Sequence, residues 1–147
     1  MTNPMIARVA AAQGAVDAFV GRSLEWGRCD CARLAAHVLR ELGYKPSLSR
    51  FGAYKSEFTA RRALKRHGMD DTPDWLDTVP GLSRISPAGA LPGDIVGMPG
   101  DGGWTSLTIA LGNGRLLGFH PDAGGSCAVV APLVAPVAAW SVVPCRF

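Results

Sequence analysis

The chain has 147 residues, of which 48% are hydrophobic and 18% charged, a balance that fits a packed globule and excludes a disordered chain. The net charge of +3 comes without a dense basic stretch interleaved with aromatics, so nucleic acid is not an expected partner. No window reaches the roughly 18 uninterrupted apolar residues of a membrane span.

The length suits one domain over residues 1–147 with a sizeable core. At the N-terminus, "MTNPMIARVAAAQGAVDAFVG" lacks the basic segment, apolar run and cleavage signal of a leader, so synthesis in the cytoplasm is expected.

Ile6 to Val20 reads as a first helix, with apolar positions at 6, 9, 16, 19 and 20 and a stop at Gly21. A second helix begins after Asp30, whose carboxylate is placed to cap it. Leu34, Ala35, Val38, Leu39 and Leu42 then follow Cys31 at helical spacing, so the thiol should head the buried stripe. Gly43 closes that helix.

Phe58 to His67 reads as a third helix, ended by Gly68 and bearing the basic cluster Arg61, Arg62, Lys65, Arg66 and His67. This cluster reads as one solvated helix face. "DDTPDWLDTVPG" reads as irregular with at most a short helix, anchored by Trp75. Five strands follow "GALPGD": Ile95 to Met98, Leu107 to Leu111, Arg115 to Phe119, Ser126 to Val130 and Ala139 to Val143. Gly112-Asn113-Gly114 marks a hairpin between two of them. Helices followed by a sheet of short connections define an α+β domain with an antiparallel sheet.

Cys31 has three readings: a core thiol, a nucleophile or a metal ligand. Helix starts carry unpaired N–H groups and the positive end of the peptide dipole, which favour a thiolate and can hold an oxyanion. Trp26, upstream, either walls a groove beside the thiol or fills core. A nucleophilic cysteine needs a base, and the chain has three histidines. His37 lies on the same helix about 120° around and about 9 Å along, so it points away. His67 sits in the basic cluster. His120, after the third strand, is the one plausible partner, with Asp122 or Asp94 as an orienting carboxylate.

Cys29, Cys31, Cys127 and Cys145 would allow three disulfide pairings. A metal site would need Cys127 and Cys145 to converge on a C-x-C pair that lacks the usual ligand spacing. No cofactor is expected.

Three stretches together resemble the NlpC/P60 cell-wall peptidases: "WGRCDCARLAAHVLRELG" their nucleophile segment, "LPGDIV" (Leu91 to Val96) their entry to the first central strand, and "SLTIALGNGRLLGF" (Ser106 to Phe119) their next hairpin. With "GAY" (Gly52 to Tyr54) and Ala139-Trp140, the chain looks like a small phage and prophage family of that superfamily. The resemblance implies a papain-like α+β fold with the cysteine helix on an antiparallel sheet. Active members of the superfamily cleave amide bonds of peptidoglycan stem peptides. Their nucleophile falls on Cys31, but their base histidine falls on Ser106, which cannot take a thiol's proton near neutral pH. Their third polar residue falls near Gly118, with His120 two residues on and on the same strand face.

What the resemblance implies is a tail-tip component of a phage virion that docks on hub proteins and is catalytically weak or inactive. Asp30, Trp26, Ser106 and Asp94 would support its groove. Two alternatives stand beside this: an active cysteine amidase using Cys31 and His120 on peptidoglycan, and a cysteine-ligated metal-binding assembly module.

Overall fold

The computed structural model describes residues 3–143. Four helices come first: α1 (Pro4–Phe19), α2 (Cys31–Glu41), α3 (Glu57–Lys65) and α4 (Thr72–Asp77). Six strands follow: β1 (Ser83–Ile85), β2 (Ile95–Pro99), β3 (Thr105–Gly112), β4 (Arg115–Phe119), β5 (Cys127–Val130) and β6 (Ala138–Ser141). They form one antiparallel sheet in the order β1-β6-β2-β3-β4-β5. The protein is therefore α+β. Among the described residues, no helix is long and apolar enough to cross a membrane.

The period of two along each strand divides the sheet into two faces. Ile95, Leu107, Ile109, Leu117 and Trp140 join the main core beneath the helices. Val96, Met98, Ala110, Leu116 and Ala139 form a smaller cluster on the opposite face. The β3–β4 hairpin turns through Asn113 at φ 55° and Gly114 at φ 73°, the pair of positive angles a tight turn of matching twist requires.

Helix α2 buries the expected stripe: Cys31, Leu34, Ala35, Val38, Leu39 and Leu42 are all core residues. Helix α1 buries only part of the stripe its larger apolar residues mark. Ile6, Val9 and Val20 are exposed, while Arg8, Ala11, Ala12, Ala15 and Phe19 are buried. The alanines let α1 lie close against α2, and Arg8 is drawn inward by a buried carboxylate, Asp94. Strand β1 has no counterpart among the expected strands. Its three residues pair with β6, Arg84 opposite Trp140.

Candidate functional site

The turn before α2 is built around one carboxylate. Glu25 and Cys29 exchange backbone hydrogen bonds of 2.8 Å each, which folds the chain back on itself ahead of the helix. Asp30 is extended, at φ −141° and ψ 177°, and caps α2 by accepting from the Arg33 backbone N–H at 3.0 Å. Its second oxygen accepts from the Gly27 N–H at 2.9 Å, the Tyr54 hydroxyl at 2.9 Å and Arg33 Nη1 at 3.2 Å. Asp30 is a fully engaged cap. Gly27 sits at φ 83°, and a Cβ there would stand 2.2 Å from the Tyr54 carbonyl oxygen. Only glycine fits. The "WGRCDC" and "GAY" segments, 20-odd residues apart, are thus two parts of one hydrogen-bonded turn.

Cys31 is the first residue of α2 and opens on a groove of about 780 Å³. Trp26, Trp104, Ser106, Gly118 and His120 also line it. Trp26 and Trp104 meet edge to face, their ring centres 5.9 Å apart. The sheet face turned away from the helices supplies the floor. There Gly118 is needed because a Cβ would come 2.7 Å from the Thr108 methyl group.

The β3–β4 register pairs Ile109 with Leu117 and Ala110 with Leu116. Cys31, Trp26, Ser106 and His120 all line this one groove. His120 lies just past β4, where its backbone N–H donates to the Ser126 carbonyl at 3.2 Å. The side chain of Asp122 lies outside the described residues.

Asp94 is not among the groove residues. Its carboxylate is buried, pairs with Arg8, and accepts from the backbone N–H groups of Leu91 at 2.8 Å and Val142 at 2.9 Å. This corrects its expected place beside the groove: Asp94 ties α1, the entry to β2 and the end of β6 together. His37 packs edge-on against Phe19 with ring centres 5.5 Å apart. His67 meets Phe51 and shares a 3.0 Å hydrogen bond with the Arg50 carbonyl. Both have structural work of their own.

The surroundings of Cys31 hold its proton on. Burial comes first, and with the charges of Asp30 and Asp71 it pushes the thiol up to about 12, against the backbone amides of Leu107 and of Cys31 itself. None of the leading effects comes from an imidazole.

Sequence reasoning passed over Asp71. It caps α4, accepts from Thr105 N at 3.0 Å and Thr105 Oγ1 at 2.5 Å, and so brings a second carboxylate toward the thiol. Thr72 adds a bond from its hydroxyl to the Thr105 carbonyl at 2.8 Å. The available signal was the capping box "DTPD", an acid at the cap and another three residues on.

Cys29 and Cys127 are buried free thiols. Burial, then the neighbouring Cys29, pushes Cys127 up to about 11. Cys145 lies outside the described residues. Among those described, no three His, Cys, Asp or Glu side chains form a group suited to a metal ion.

These features define an α+β domain in which a groove thiol heads a helix over an antiparallel sheet. Over residues 7–142 the chain matches the model of DUF6950, a domain of unknown function, and it belongs to that family. No curated protein and no solved structure matches it.

Proposed function

We propose that this protein is a tail-tip structural or assembly component of a phage virion, built on an NlpC/P60-type, papain-like fold whose catalytic capacity is weak or lost. The observation that carries the second half is the state of Cys31. A peptidase thiol works as a thiolate beside a base, and here burial, with the charges of Asp30 and Asp71, pushes the thiol up to about 12. Ser106 occupies the place where the resemblance expects an imidazole, and a hydroxyl cannot store the thiol's proton as a cation.

The docking half draws on the sequence resemblance and on the strip from the end of β5 to the start of β6. Val129, Leu133, Val134 and Val137 are exposed there, Leu133 completely. Apolar exposure gathered in one strip fits burial against a partner, which this reading takes to be the tail hub.

Incubating the protein with peptidoglycan stem peptides tests the reading. No fragments are expected beyond those given by the Cys31→Ala variant. Cleavage that Cys31→Ala abolishes would overturn it.

The groove that Cys31, Ser106 and His120 line together favours a second reading, an active amidase. In it His120 takes the proton, Cys31 attacks an amide carbonyl, and the amides at the start of α2 hold the oxyanion. Stem-peptide cleavage lost in both Cys31→Ala and His120→Ala would select it.

A further inference from the structure

Behind the thiol lies a second, much smaller space. It measures about 30 Å³ and is walled by Trp75, Phe51, Leu48, Leu64 and Ala60, among others. Trp26, Cys31 and Trp104 line both this space and the groove, so the two meet beside the thiol.

The polar groups on its wall are bonded elsewhere. Asp30 and Tyr54 bond to each other, the Thr72 hydroxyl donates to the Thr105 carbonyl, and Trp75 Nε1 donates to the Ser47 carbonyl at 3.0 Å. The rest of the wall is apolar, so an apolar group would gain contacts there. The volume is above the roughly 10–15 Å³ that one water needs and far below the roughly 150 Å³ of a cavity that admits benzene, which leaves room for a small alkyl group.

We propose that this cavity is a subsite for a methyl- to ethyl-sized apolar branch of the ligand that lies in the groove, held next to the Cys31 sulfur between Trp26 and Trp104. The proposal rests on the groove beside Cys31 taking a ligand, as in the second reading above, and names that ligand's chemical class at this point. A branched aliphatic acyl or peptidyl unit fits; a polar or aromatic branch does not.

Alkyl methanethiosulfonates test it without requiring catalysis. The thiolate forms a bond to the reagent's sulfenyl sulfur, methanesulfinate leaves with the electron pair, and the thiol's proton goes to buffer. Cys31 becomes a mixed disulfide carrying the chosen alkyl group. Rates at Cys31 are read by peptide mass spectrometry at pH 9 and divided by the rates for glutathione.

The methyl reagent is expected to react at least tenfold faster than the benzyl reagent on this scale. Ala60→Leu, which fills the space, should bring the ratio toward one, and Leu64→Ala, which enlarges it, should raise the rate with n-butyl. Equal relative rates for methyl and benzyl at a labelled Cys31 would overturn the subsite and leave the groove reading intact. No labelling by either the methyl or the trimethylammonioethyl reagent would remove both, because the thiol would then not face the groove.

Discussion

Tyr54 grips Asp30 from outside the helix that Asp30 caps: its hydroxyl donates to the carboxylate at 2.9 Å, and its own backbone carbonyl fills the space a side chain on Gly27 would need. The position of the thiol at residue 31 depends on this pair. Tyr54→Phe removes a hydrogen bond to a buried charge and should destabilise the fold by about 1.5–3 kcal/mol. Gly27→Ala should cost more, because it adds a backbone collision to the loss of the positive-φ residue. Urea denaturation of both variants checks the order.

The Arg8–Asp94 pair is buried on both sides, with side chains 6% and 1% exposed. Arg8→Met leaves the carboxylate without its cation in the core, which should cost about 3–5 kcal/mol. A lower urea midpoint with an unchanged slope is expected. An effect within about 0.5 kcal/mol, the range of ordinary surface substitutions, would show that the pair does not hold α1 to the sheet.

Asp77 predicts a pH effect of known sign. Hydrogen bonds from Arg84, and more weakly from Trp140, hold its carboxyl below the usual carboxylate range. A depressed carboxyl stabilises the fold above its unfolded value and loses that contribution as the pH falls through the folded one. Melting temperature should therefore drop below about pH 4, and Asp77→Asn should flatten that drop. Its side chain is 43% exposed, so the change should be small and shrink further in salt.

Ser106→His returns an imidazole to the position the peptidase resemblance reserves for one. Ser106 is only partly buried and lines the groove, so the larger ring has room to extend into it. The variant should alkylate at Cys31 at least tenfold faster at pH 7.5 than the parent protein. An unchanged rate would separate this groove from the peptidase arrangement.

The hydrophobic stripe of α2 was legible because leucine, valine and alanine recur at helical spacing behind a capping acid. The inward face of α1 was not, because its packing rests on alanines and a buried arginine whose partner, Asp94, lies 86 residues away. Strand β1 carries no alternation of its own, with two exposed residues and one half-buried, and exists through pairing with β6. In the site, the sequence located the thiol, the cap and the two groove positions 106 and 120. It misplaced Asp94, since a Gly-Asp at a strand entry reads the same whether it faces a groove or the core. It missed Asp71, whose approach to the thiol depends on where α4 docks against β3.

The pH dependence of Cys31 alkylation by iodoacetamide, followed by peptide mapping, addresses the poorly activated thiol most directly. With the thiol pushed up to about 12, the rate should be very low at pH 7 and climb about tenfold per pH unit past pH 10 without levelling off. A rate already at its plateau by pH 8 would mean a thiolate activated by a neighbouring base, and would contradict the account.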